Sequence, residues 1–239
     1  MRKTVIVSII SLVCLSLVSI LFKTVIAQSV VGAGSVVVQT ISGPTLAQQI
    51  FEHLQSSWSW YLVRGSGIIA ALSLIILILS GLGLFTGYTY KFLEPLTAWA
   101  SHRALGIVFG VSIILHMGGL LFDHFVSFNL LNLLVPWLSN YKPVTIWGLQ
   151  LGSIYIALGV LAFYLTALII ITSLVWIEKK PYLWKLIHLM SYVVMLFVFI
   201  HALYLGTDLA GGFIRWLWVA VGVGMFGLVV YRLWRSKTI

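Results

Sequence analysis

Six histidines stand in this 239-residue chain, and four of them fall into two spaced pairs, His102 with His116 in HRALGIVFGVSIILH and His188 with His201 in HLMSYVVMLFVFIH. Between His102 and His116 only Arg103 is charged. A neutral imidazole in such surroundings is a nitrogen donor that can ligate a metal through one ring nitrogen. On an ideal helix a fourteen-residue step stops about 40° short of four turns and rises about 21 Å, so His102 and His116 share a face. The thirteen-residue step from His188 to His201 stops about 140° short, and these two share a face only if their helix is locally tightened or strongly tilted. Two helices that each offer two histidines at matching depths suit iron held between opposed imidazoles, twice over. Haem is large and apolar enough to fill a bundle core, and two axial histidines leave its iron no open position, which points to one-electron transfer rather than bond-making at the metal. Zinc or copper fits less well, because no carboxylate or cysteine lies at matching depth to complete a four-ligand shell.

The elements that must position these rings are membrane helices. Hydrophobic residues make up 61% of the chain, charged residues 8%, and the mean hydropathy is +1.11, which excludes an ordinary soluble domain. Six apolar runs are long enough to span a bilayer: Val5–Ile26, Tyr61–Thr86, Ala104–Phe125, Gly148–Ile177, Trp184–Leu205 and Phe213–Trp234. None alternates as a barrel strand would, so the expected fold is an all-α membrane protein, a six-transmembrane-helix bundle enclosing two stacked haems. With the N-terminus inside, ten basic residues lie on the cytoplasmic side (Arg2, Lys3, Lys91, Arg103, Lys179, Lys180, Lys185, Arg232, Arg235 and Lys237) and four outside (Lys23, Arg64, Lys142 and Arg215). That asymmetry predicts a multi-pass plasma-membrane protein with both termini cytoplasmic. The helices bearing the histidines then run in the same direction, with His102 and His188 near the inner side and His116 and His201 nearer the outer side.

The expected organisation is an N-terminal helix over 1–27, an extracytoplasmic connection over 28–60, the haem-bearing domain over 61–234 and a cytoplasmic tail over 235–239. Arg2 and Lys3 followed by an apolar run ending in Val25-Ile26-Ala27 also fit a cleavable signal, but an apolar core of roughly nineteen residues suits a permanent span better. Within the outer connection, TLAQQIFEHLQ has the spacing of a short helix on the outer surface. The one cysteine, Cys14, allows no disulfide framework. The net charge of +9 is spread in short clusters between apolar runs, which favours membrane orientation and excludes a nucleic-acid partner.

Other residues are weighed against plainer roles. Arg64 can pair with a propionate of an outer haem or reach the interface, and Arg103 and Lys185 can serve inner propionates or anchor the cytoplasmic side. Asp123 and Asp208 lie on the outer side as loop residues. His53 and His124 have no depth-matched partner and are not assigned to haem. The sequence GVGMFG at Gly222–Gly227 fits a dinucleotide fingerprint, yet it follows no strand and sits in an apolar helix, so packing through small residues explains it.

Taken together, WYLVRGSGIIA, HRALG, LLVPWLSNYKP, LWKLIHLMSY and HALYLGTD, in that order over roughly Trp60 to Asp208, resemble the ferric reductase-like transmembrane family, which includes the membrane domains of NADPH oxidases and the haem subunit of bacterial methionine sulfoxide reductase systems. The resemblance implies two b-type haems, an inner one on His102 and His188 and an outer one on His116 and His201. Larger members carry a flavin and nicotinamide module after the last helix, whereas five residues follow Trp234 here. The expected function is therefore transmembrane electron transfer as the haem component of a reductase system. The expected donor is an external flavoprotein, a bound flavin or a quinol, and the acceptor an extracytoplasmic redox partner. Two other classes remain open: a non-redox membrane scaffold whose histidines brace helices, and a proton or metal transporter, ranked last because no membrane carboxylate accompanies the histidines.

Overall fold

The computed structural model describes residues 45–123 and 126–235. The chain divides into two units, Met1–Glu52 and His53–Ile239. Among the described residues the first contributes only the exposed opening turns of helix α1 (Leu46–Thr86). The rest of α1 and every element below belong to the second. Five helices among the described residues are long and apolar enough to cross a membrane: Ser56–Thr86, Pro95–Leu120, Ile154–Val175, Pro181–Leu205 and Gly212–Trp234. The protein is thus all-α and built for a bilayer, and the expected run Val5–Ile26 lies outside the described residues.

α1 starts earlier than expected and absorbs the segment read as a separate surface helix, so His53 and residues 46–60 are helical rather than a connection. The local cause is a capping box: the Thr45 amide donates to Gln48 Oε1 at 2.8 Å and the Gln48 amide donates to Thr45 Oγ1 at 3.4 Å. No glycine or proline follows until Gly65. After a 3-10 turn (Tyr88–Lys91), α2 (Pro95–Leu120) also begins earlier than its apolar run, because Pro95 is pre-set for the first helical position and Thr97, Ser101 and His102 are polar without opposing helix. His102 therefore lies two turns inside α2.

The long connection that follows carries α3 (Leu130–Leu134), capped by Asn129 on the Asn132 amide, and a two-residue hairpin pairing β1 (Thr145–Ile146) with β2 (Leu149–Gln150). Its turn residues Trp147 and Gly148 both have positive φ, and Trp147 is 99% exposed at the tip. This hairpin is why α4 (Ile154–Val175) starts at the buried cap Ser153 rather than at Gly148 as expected.

The expected fifth run is two helices, α5 (Pro181–His188) and α6 (Ser191–Leu205), with tight i to i+3 bonds at the break: Met190 amide to Ile187 carbonyl, Tyr192 to Leu189 and Val193 to Met190. Each residue wound at 3-10 rather than α pitch adds about 20° of rotation, so three or four of them remove about half of the 140° shortfall between His188 and His201. A 3-10 turn (Thr207–Leu209) leads to α7 (Gly212–Arg235). α4 packs along α5 and α6, and α7 packs on α6 through stacked Phe199 and Trp218 rings, 4.3 Å between centroids, with Gly222 against the Phe199 ring. Thus Gly222–Gly227 is helix, and its first glycine packs as the small-residue reading requires.

The core runs along α1, α2, α4, α6 and α7 through Leu74, Ile78, Phe109, Ala162, Val194, Phe199, Met225 and Val229. Large apolar side chains elsewhere point outward, as a lipid-facing surface demands. α1 turns a stripe of small polar residues inward: Ser59, Ser66 and Ser73 are buried and Ser80 is half-buried, at a seven-residue period that keeps one face over two turns.

Candidate haem-binding site

The four spaced histidines meet in two facing pairs. The rings of His102 and His188 lie 6.1 Å apart between centroids and those of His116 and His201 lie 6.4 Å apart. α2 and α6 therefore run parallel, as the depth match requires. The His102/His188 pair lies toward the Arg232 end of the bundle and the His116/His201 pair toward the Arg64 end.

Each ring is held from behind through Nδ1. His116 Nδ1 donates to the Val63 carbonyl at 2.9 Å and His201 Nδ1 donates to the Tyr155 carbonyl at 2.8 Å. A carbonyl only accepts, so both neutral rings carry their proton on Nδ1 and leave Nε2 unprotonated. His102 Nδ1 sits 2.8 Å from Ser80 Oγ, whose own proton goes to the Leu77 carbonyl at 2.9 Å, and this makes the serine the acceptor. His188 Nδ1 lies 3.4 Å from Ser173 Oγ, which also receives the Trp184 indole N–H at 3.1 Å, and the Trp184 ring packs on His188 at 5.2 Å. A backing hydrogen bond at Nδ1 is how metal-bound histidines are fixed in tautomer and orientation.

Glycines make room for three of the rings. A Cβ at Gly159 would come within 2.6 Å of the His201 ring, at Gly67 within 3.1 Å of His116, and at Gly81 within 3.4 Å of His102. Gly67 and Gly81 repeat on α1 the fourteen-residue step of His102 and His116 on α2.

The donor set fits a haem iron with two axial imidazoles. With metal–nitrogen bonds of about 2 Å and about 1 Å from each nitrogen to its ring centre, trans ligands put ring centres about 6 Å apart. Both separations match that figure. Among the described residues no group of three or more His, Cys, Asp or Glu comes together, and each facing pair presents two imidazoles, a donor set that would suit the iron of a macrocycle.

Of the charged residues named from sequence, Arg64 forms a salt bridge with Asp208 across 144 residues, Nε reaching Oδ2 at 2.8 Å, and its guanidinium lies over Trp60 at 4.7 Å. Asp208, expected to be a loop residue in solvent, is that arginine's partner. Arg103 is exposed on α2 and Lys185 is exposed on α5 with Nζ 5.7 Å from the Phe85 ring centre. His53 is exposed on α1, and His124 lies outside the described residues. The residues that sequence reasoning passed over are the backing groups: Ser80, Ser173, the Val63 and Tyr155 carbonyls, the facing glycines and Arg232. Two repeats could have exposed some of them, the seven-residue serine stripe and the fourteen-residue glycine pair.

Residues 66–199 match the family described as ferric reductase like transmembrane component. That stretch holds His102, His116 and His188 and ends two residues before His201. No curated protein and no solved structure matches the chain significantly. The family match covers more than half of the 239 residues, and the chain belongs to the ferric reductase like transmembrane components, a family of transmembrane electron-transfer domains.

Proposed function

We propose that this protein carries electrons across the bilayer through two bis-histidine b-type haems, as the membrane component of a reductase system. The observation that carries the reading is the pair of facing imidazole sets, 6.1 and 6.4 Å between ring centres, with every Nδ1 within hydrogen-bond distance of a group on α1 or α4, helices that carry none of the four rings. Domains of this family generally bind haem. His102 and His188 would hold the inner haem, and His116 and His201 the outer one. When bound, such haems would supply one-electron carriers.

The chain's own residues do the rest. The Val63 and Tyr155 carbonyls and Ser80 hold the ring protons of His116, His201 and His102 on Nδ1 and leave Nε2 as the ligand nitrogen, while Ser173 sits beside His188 Nδ1. The apolar residues between the pairs, with Phe109, Val194 and Met195 buried among them, keep water and ions from following the electron. The separation of the pairs along α2, about 21 Å, takes charge through most of a hydrocarbon core of about 30 Å. The positive-inside asymmetry supports an inner pair at the cytoplasmic face of the plasma membrane, with both termini on that side. An electron-donating flavoprotein, a bound flavin or a quinol would act there, and an extracytoplasmic redox partner would accept at the other end.

The test is spectroscopic. Purified protein produced with ample haem is expected to give a reduced-minus-oxidised b-type spectrum and about two haems per chain, and His116→Leu or His201→Leu is expected to leave about one. A chain whose histidines only brace helices would show no such spectrum, and neither substitution would change its redox behaviour.

A further inference from the structure

Arg232, on α7, presents a charge that no described residue answers. Its Nη1 donates to the Tyr192 hydroxyl, its guanidinium carbon lies 3.9 Å over the Phe85 ring and 5.5 Å from the Tyr192 ring, and its Nε is buried with no hydrogen-bond partner. Among the described residues no carboxylate is found in ion-pair contact with Arg232, whose contacts are the Tyr192 hydroxyl and the Phe85 and Tyr192 rings. A buried guanidinium N–H without an acceptor is destabilising, and buried polar groups in native proteins are almost always paired. The neighbours do not supply the missing acceptor: a phenol and a phenyl face orient the fork, and Lys185 beside Phe85 adds a second positive charge.

The depth of the guanidinium is bracketed from two helices. Phe85 is five residues past Ser80, the partner of His102, about 7.5 Å along α1 toward the Arg232 end. Tyr192 is four residues past His188, about 6 Å along α6 in the opposite sense, and helical side chains lean back toward the N-terminus, here toward His188. The group that touches both rings is therefore level with the His102/His188 pair. Arg103, the basic residue next to His102 in sequence, is exposed instead.

We infer that Arg232 binds a carboxylate on the edge of the inner haem, its Nε completing a charge-assisted pair while Tyr192 and Phe85 hold the guanidinium plane. This rests on the two-haem reading. A cation paired with that carboxylate favours the reduced haem, so its removal lowers the haem's reduction potential.

The experiment isolates the inner haem in a His116→Leu, His201→Leu background and follows potentiometric titration in lipid nanodiscs. Arg232→Gln is expected to shift the reduction equilibrium roughly tenfold toward the oxidised form, about 59 mV for one electron, while Arg232→Lys keeps most of the parent value and Arg103→Gln changes little. Should Arg232→Gln fail to fold, the same background loaded with haem dimethyl ester, which has no free carboxylate, replaces it. There Arg232→Lys and the parent are expected to titrate together at a changed potential. A glutamine variant that titrates like the parent overturns the inference. So does an arginine effect that persists with the esterified haem, which would assign the anion to a lipid phosphate. A background protein that binds no haem at all overturns the two-haem reading itself.

Discussion

At the scale of single residues, the decisive atoms are the four Nδ1 groups and the hydrogens of three glycines. Gly159 sits in mid-helix, where alanine would ordinarily stabilise by about 1 kcal/mol through propensity. Its absent Cβ, however, would meet the His201 ring at 2.6 Å, closer than real contacts allow. Gly159→Ala is therefore expected to push that imidazole aside and lower outer-haem content, read as haem per chain. Gly67→Ala, at 3.1 Å from His116, should have a milder effect, and Gly81→Ala, at 3.4 Å from His102, little effect. Equal haem content in all three variants would contradict this graded series. The histidines were legible in the sequence because a titratable ring inside an apolar run has few structural uses. Their acceptors were not, because two are main-chain carbonyls, at Val63 and Tyr155, which every residue type possesses.

Among the elements, the break between α5 and α6 closes about half of a mismatch of phase. Arithmetic along a regular helix exposed the 140° shortfall and named its remedy, local tightening, without locating it. The remedy sits at Leu189–Met190, two residues past His188, where three amides bond to the carbonyl three residues back. Deleting Leu189 would shorten the spacing to twelve residues and rotate His201 about 100° further from the face of His188. Its expected outcome is loss of the outer haem with the inner one kept, measured as a fall from two haems per chain to one. Helix ends were the least readable features. The apolar run placed α2 near Ala104, but Pro95 starts it nine residues earlier, and it placed α4 at Gly148, where a left-handed Trp147-Gly148 turn closes a hairpin. Hydropathy reports which residues prefer lipid; caps and positive φ decide where a helix begins.

For the whole molecule, the five spans and their alternation followed from run length, whereas the tie between distant parts did not. Arg64 and Asp208 lie 144 residues apart and are 24% and 29% exposed. Asp208→Ala is expected to cost about 1–3 kcal/mol, more than a surface pair because the arginine is left half-buried and unneutralised. Adding Arg64→Gln to Asp208→Ala should recover part of the loss, a coupling that thermal unfolding of the two single variants and the double variant would reveal. Orientation is tested in a Cys14→Ser chain, where a cysteine at Lys179 should react with a membrane-impermeant reagent only from the cytoplasmic side, and one at Trp147 only from outside. The same ion pair also sets a timetable for biosynthesis. Because Asp208 follows Leu205, the end of α6, a nascent chain that has inserted only its earlier helices holds Arg64 in the bilayer without its counter-charge. That tie can therefore close only after the connection before α7 has emerged, later than any contact among the helices that precede it.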